Sequence, residues 1–376
     1  MKTYDLAVVG TGGIAAVHAR GIADSGGRAR IGAVVDVDPQ RLRDFTTHLA
    51  DLGQPEPRGY TSLEELLTAE RPDLVDLCTP PGLHTPQAVM CLSRGLTVLC
   101  EKPPALSLAE FDRITAAARD GGGHFATVFQ HRFGSGARTL RELAADGRLG
   151  APMTAVCHTL WHRPDAYFDV PWRGRWDVEG GGPTMGHGIH QMDLLLSVLG
   201  PWREVVAVAA RRARPTDTED LSCAIVTFES GAVASVVNSL LSPRETSHLR
   251  FDFAHATVEL THLYGYGDAD WTVTATPEHA DTIDAAWAAG PKGRDSGHGA
   301  QLLAVLDALD AGQAPPVGPA DARATMELVA AVYQSAFTGR PVARGEIGPG
   351  SPFYGRMQGT GAPWPTVRAV PTGGAR

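Results

Sequence analysis

The sequence of 376 residues is short of several things, and each shortage narrows what it can be. No apolar run approaches the ~20 residues that cross a bilayer, so no membrane association is expected. Positive charge is not in excess: 33 basic against 42 acidic side chains leave a net −9. Such a surface repels nucleic acid and anionic lipid and argues against a general binder of either. The cysteines are few and odd in number, Cys78, Cys91, Cys100, Cys157 and Cys223, and never spaced C-x-x-C. Their mostly apolar neighbours mark them as buried free thiols of a reducing cytoplasm. The opening "MKTYDLAVVG" runs straight into a strand pattern, without a signal peptide's apolar core and cleavage site, which also points to the cytoplasm.

Lysine is scarcest among the charged residues. Lys2, Lys102 and Lys292 stand against thirty arginines. Lys2 sits at a terminus and Lys292 in a Gly/Pro-rich loop. Lys102 follows an apolar run and precedes two prolines in "CEKPP". A lysine can give up its proton when its surroundings press it, and an arginine cannot. That difference singles out Lys102.

What is present suits an ordinary globular chain, 43% hydrophobic and 20% charged, long enough for two domains. "YDLAVVGTGGIAAVHARGIADSG" opens with a strand-length apolar run, then glycines, then a helical pattern. Gly10, Gly12 and Gly13, with Thr11, Ile14 and the small Ala15, make a G-x-G-G-x-A turn between strand and helix. Such a turn lets a pyrophosphate approach the backbone at a helix N-terminus. Asp36 closes the second strand, 23 residues past Gly13, where a carboxylate accepts from ribose hydroxyls and favours NAD over NADP. Asp38, before Pro39, reads as a turn or cap residue. Strand and helix patterns then alternate to about residue 121, implying a parallel sheet with ligands at its carboxyl ends. Thr79-Pro80-Pro81 with His84, and Glu101-Lys102-Pro103, fall at such ends.

These motifs, in this order, resemble the family of glucose–fructose oxidoreductase, inositol 2-dehydrogenase and the MocA enzymes. "TVFQHRF", "EGGGPTMGHGIHQMDLLLSVLG" and the helical stretch from His298 to about Ser335 extend the resemblance over nearly all of residues 3–342. It implies a Rossmann dinucleotide-binding domain (1–124), then an α+β domain with a large, open, predominantly antiparallel sheet (125–344) that joins dimers or tetramers. The closing helices are expected to pack back on the first domain. A Gly/Pro-rich tail (345–376) would wrap the surface or a neighbouring subunit, or be partly disordered.

The expected activity is NAD-dependent interconversion of a secondary alcohol and a ketone on a sugar, sugar derivative or cyclitol. Lys102 suits proton transfer because burial eases loss of its proton. The resemblance implies the same work for His190, with Asp193 one helical turn on to orient it. It places Thr79, Pro80, His84, Glu101, Lys102 and Gln130 with the glycine turn and Asp36 around the cofactor. Arg132, Trp161, Arg163, Tyr167, Trp172, Arg173 and His187 are the further candidates to contact substrate, offering stacking faces and donors. One departure stands out: many family members carry Asp four residues before the histidine, where this chain has Gly186. His187, or a larger share for Lys102, is the expected compensation. His187, His190 and Asp193, at i, i+3 and i+6, with His158 and His162, read alternatively as a metal set, but the resemblance implies no metal. Two other functions fit the same architecture: redox-neutral NAD-dependent cleavage of a glycosidic bond, and a non-catalytic NAD-dependent sensor.

Overall fold

A computed structural model describes residues 2–365. Residues 366–376, part of the expected tail, lie outside the described residues. Short segments, Val/Ile/Leu-rich in β1, β2, β4 and β5, form the first sheet: β1 (Tyr4–Val9), β2 (Ala29–Val35), β3 (Arg58–Tyr60), β4 (Leu74–Leu77), β5 (Thr97–Cys100) and β6 (Phe125–Thr127). All pairs are parallel, in the order β3-β2-β1-β4-β5-β6. Burial on both faces explains why β1, β4 and β5 read as near-continuous apolar runs, while the edge strand β3 is largely exposed. The chain order reverses at β1/β4, and open parallel sheets bind their ligands in the crevice at such a reversal. Helices cover both faces, and three of them begin at a side-chain cap. Asp38 accepts from Gln40 N at 2.8 Å ahead of the helix Pro39–Asp51, and Ser107 accepts from Glu110 N at 3.2 Å ahead of Leu108–Gly121.

The second sheet comprises β7 (Pro152–His162), β8 (Trp202–Ala210), β9 (Leu221–Phe228), β10 (Val233–Ser239), β11 (Leu241–Phe253), β12 (Ala256–His262), β13 (Trp271–Ala275) and β14 (Val342–Ala343). Its order is β13-β12-β11-β7-β10-β9-β8-β14, antiparallel except for the β7–β10 pair. Only Thr127 of the stretch "TVFQHRF" is in a strand, β6, which pairs with β5 in the first sheet, and the stretch continues into a short 3-10 turn at Gln130–Arg132. One closing helix, His298–Asp310, packs on the helix Gly13–Ala23 and shares its core through Leu302, Val305 and Leu306. The two helices approach so closely that a Cβ on Gly21 would lie 2.8 Å from the Gly299 backbone. The other, Pro319–Thr338, packs mainly on β8 and also touches the helix Leu108–Gly121 and β6. Up to Pro365 the tail packs on its own chain: Phe353 is buried near Phe337, and the Trp364 indole N–H donates to Asp217 O at 2.9 Å.

The glycine run ahead of the helix Ile189–Leu199 is crowded rather than loose. A Cβ on Gly181 would meet the Tyr333 hydroxyl at 2.2 Å, and one on Gly182 the Glu219 carbonyl at 2.0 Å. Gly182 N and Thr184 N both donate to the buried Glu219 carboxylate, at 3.1 Å each, and Tyr333 donates to it at 2.8 Å. These bonds pin the segment that leads to His190.

Candidate functional site

A cleft of about 1340 Å³ runs from the glycine turn to the edge of the second sheet. At one end Gly10 adopts φ +86°, where a Cβ would press on Thr79 Cγ2 and the Cys78 backbone at about 3 Å. Gly12 and Gly13 face open space, with nothing within 4 Å of a Cβ placed on either. A side chain there would fill the cradle that a pyrophosphate needs, so the residues fit a dinucleotide. Asp36 stands at the carboxyl end of β2 and lines the cleft. Burial alone would raise its pKa, but Thr11 N, Thr11 Oγ1 and Asp38 N donate to it at 2.9–3.0 Å and hold it below the ordinary carboxylate value. An ionised, fixed carboxylate at this point can accept from a ribose diol.

At the middle of the cleft, the short β5 delivers Glu101 and Lys102. Glu101 Oε1 accepts from His18 at 2.9 Å and His298 at 3.0 Å, while Oε2 accepts from Lys102 N at 3.0 Å. His18 bonds Asp76 at 2.7 Å through its other nitrogen. Burial opposes charge on both groups, but the paired imidazoles hold Glu101 well below the usual carboxylate range, and Asp76 helps hold His18 well above its own. This closed network fixes the backbone from which Lys102 projects. His18, Asp76 and Cys78, and His18, Glu101 and His298, are the only groupings with metal-ligand proximity among the described residues. The histidines and carboxylates in them bond one another, through Asp76 Oδ2, the two His18 nitrogens, Glu101 Oε1 and His298 Nε2. The His187–His190–Asp193 set is not assembled, because Asp193 turns elsewhere.

Lys102 Nζ donates to Gly186 O at 2.9 Å. Burial lowers its pKa from 10.5 more than nearby Glu101 and Glu179 restore, and Arg173 pushes in the same direction as burial. His190 is 2% exposed, and neither ring nitrogen has a hydrogen-bond partner among the described residues. Burial first, then Lys102 and His131, keep its pKa well below 6.5, so the imidazole is neutral. It stacks on the buried His131 at 5.0 Å. His187 stands edge-on to Trp161 at 5.3 Å and is likewise held neutral, by burial and by Lys102.

The far end is aromatic and cationic. The Arg163 guanidinium lies over Trp161 at 4.8 Å, and Arg173 lies over Tyr167 at 3.9 Å and Trp172 at 4.5 Å. Arg163 pairs with Glu245 at 2.9 Å, and Arg173 donates to the Tyr167 hydroxyl. Flat faces edged with donors suit the hydroxyls and C–H faces of a sugar ring.

Most of the residues expected from the sequence therefore meet in one cleft: Thr79, Pro80 and Ile14 also line it. Three do not. Arg132 forms a two-pronged pair with the buried Asp193, at 2.6 Å on each prong, and reaches Asp321 at 3.0 Å, so it is a structural tie and not a substrate contact. The same bonds, with Thr325 donating to Asp193 at 3.1 Å, take that carboxylate away from His190. His84 is fully buried between Thr79 O at 2.7 Å and Pro103 O at 2.8 Å, so it braces the two loops behind the cleft rather than touching a cofactor. Burial lowers its pKa, and a neutral ring can donate to only one of those carbonyls. Gln130 is buried outside the lining and donates to the Tyr264 hydroxyl at 3.2 Å.

The sequence reading missed Tyr264, Glu245 and Glu179, all in the lining. Glu245 lies within β11 and Tyr264 just beyond β12, and neither carried a local signal. Glu179 had one, its place directly before the glycine run.

Residues 4–129 match the oxidoreductase family, NAD-binding Rossmann fold, and residues 137–274 match the GFO/IDH/MocA C-terminal domain. The chain is 29% identical over 307 residues to D-glucoside 3-dehydrogenase of Escherichia coli, covering 74% of this chain and 81% of that protein. It is 27% identical over 360 residues to D-apiose dehydrogenase of Paraburkholderia graminis, covering 91% and 90%. The WlbA dehydrogenase of Bordetella pertussis, solved in complex with NADH and UDP-GlcNAcA, superposes with a TM-score of 0.80 at 25% identity, over 91% of this chain and 99% of that one. With residues 4–129 and 137–274 both matched in sequence and 91% of the chain matched in space, the chain belongs to the GFO/IDH/MocA oxidoreductase family.

Proposed function

We propose that this protein is an NAD-dependent dehydrogenase that interconverts a secondary alcohol and a ketone on a sugar, sugar derivative or cyclitol. The observation that carries the reading is the meeting of Lys102 Nζ and the unpartnered His190 ring in the cleft that begins at the glycine turn. Bound NAD supplies the hydride acceptor. Lys102, already donating to Gly186 O, keeps its lone pair for the hydroxyl proton. The neutral His190 ring accepts from or donates to the same hydroxyl and fixes its direction. The ammonium formed on Lys102 is offset by Glu101 and Glu179. The stacked Trp161, Tyr167 and Trp172 with Arg163 and Arg173 hold the rest of the ring.

The test is to incubate the protein with NAD and a panel of sugars and inositols while following the reduced cofactor. Reduction by at least one polyol is expected. Sugar cleavage without net reduction, or binding without turnover, would replace the reading with a redox-neutral enzyme or a sensor.

Two coarser matters belong to the same proposal. The open face of the second sheet pairs Val206 with Ile225 and Val208 with Cys223, and leaves Val206, Ile225 and Val208 about half to two-thirds exposed. A second copy of this chain covering that face, as a dimer or tetramer, would bury this apolar row. All five cysteines are free, four of them buried, which favours a cytoplasmic site of action. Among the described residues no helix is long and apolar enough to cross a membrane.

A further inference from the structure

Gly186 supplies only a backbone carbonyl to Lys102, yet the volume beside its α-carbon is not left without a polar group. A Cβ built on Gly186 would meet nothing nearer than Glu179 Oε1, at 3.7 Å. Glu179 ends the short helix Trp176–Glu179 and reaches the cleft lining while only 8% exposed. Its other oxygen, Oε2, accepts from Gly174 N at 2.7 Å. That turn is itself rigid: Gly174 has φ +67°, and a Cβ there would strike Thr216 at 2.4 Å. Gly180, at φ +81°, reverses the chain directly after Glu179. Oε1 is thereby held toward Gly186, and the carboxylate acts on both Lys102 and Arg173.

Building on the dehydrogenase reading, we propose that Glu179 is the carboxylate of the reaction site, lent by the preceding turn to the empty side-chain position of Gly186. There it accepts from the substrate hydroxyl next to the one that Lys102 deprotonates. The substrate class narrows accordingly to a polyol with neighbouring hydroxyls on the oxidised carbon and the next one. The negative charge also favours the protonated form of Lys102, so it holds the amine's titration higher than burial alone would set it.

The test uses the full chain in three forms: wild type, Glu179→Gln, and the double variant Glu179→Ala with Gly186→Asp, which moves the carboxylate to the glycine. NADH fluorescence checks that each form still binds cofactor. With the fastest polyol from D-glucose, D-xylose and myo-inositol, Glu179→Gln should lower kcat/KM about 100-fold, and the double variant should recover at least about tenfold of that. Removal of the neighbouring hydroxyl from the substrate should cost wild type far more than Glu179→Gln. A second readout needs no turnover. Because the chain has three lysines, 13Cε-lysine labelling gives three side-chain signals, assigned by Lys102→Arg. The Lys102 midpoint should move to lower pH in Glu179→Gln and return in the double variant. Loss of kcat/KM that the relocated carboxylate does not restore, or an unmoved Lys102 midpoint, would overturn the assignment of Glu179. If wild type oxidises no polyol but the midpoint shifts as described, the dehydrogenase reading fails while the Glu179–Lys102 coupling stands.

Discussion

At the scale of single residues, the proposed chemistry rests on an amine that burial has made easier to deprotonate. Lys102→Arg keeps the positive charge but cannot release it, so cofactor affinity should be unchanged while turnover falls about 1000-fold. Turnover within a few-fold of wild type would remove Lys102 from proton transfer. Alcohol oxidation needs the neutral amine, so the rate should rise with pH and level off below the 10.5 of an ordinary lysine. Asp36→Ala should weaken NAD at least about tenfold and NADP less, measured as Kd by titration. Equal weakening would contradict the ribose assignment. The residues that chain order could bring to the cleft were those fixed by backbone position: the glycine turn after β1, Asp36 after β2 and Lys102 after β5. His84, Gln130 and Arg132 stand beside the right motifs yet point away, since proximity along the chain does not fix side-chain direction. Glu179 and Tyr264 escaped because each arrives from another element.

At the scale of elements, the segment carrying His190 is anchored by a buried acid. Burial raises the pKa of Glu219 from 4.5 to about 7, against the pull of the Tyr333, Thr184 and Gly182 donors. The folded state therefore holds this proton more tightly than the unfolded chain between those two values. The group's contribution to stability is fully present below pH 4.5 and is lost as pH rises toward 7, at ~1.4 kcal/mol per unit of pKa difference. Glu219→Gln cannot ionise, so its stability relative to wild type should improve from pH 5 to pH 8 in denaturant melts. Parallel curves for the two proteins would show that Glu219 does not titrate in this range. The glycine run itself was legible as a break ahead of a helix. Its rigidity was not, because the groups that crowd it, Tyr333 and the Glu219 carbonyl, come from far along the chain.

At the scale of the whole molecule, two sheets divide the labour. The parallel sheet was readable from strand and helix periodicity and from its turn. The second sheet's order was not, since β7 lies between β11 and β10, which follow it by many residues. If its open face is an interface, light scattering should find wild type as a dimer or larger, and Ile225→Asp with Val208→Asp should yield monomers with cofactor affinity intact. Wild-type monomers at micromolar concentration would exclude that interface.

Apart from Trp161 in β7, the groups proposed to grip the ring, Arg163, Tyr167, Trp172 and Arg173, lie on one contiguous stretch of chain, whereas those proposed to handle the cofactor and the proton come from the glycine turn, strand ends and a helix. Selectivity can then be exchanged apart from the redox chemistry. Replacing residues 163–173 with another sequence while keeping Glu179, which acts on Lys102, should redirect which polyol is accepted and leave hydride transfer intact, a route for retooling the enzyme by nature or by design.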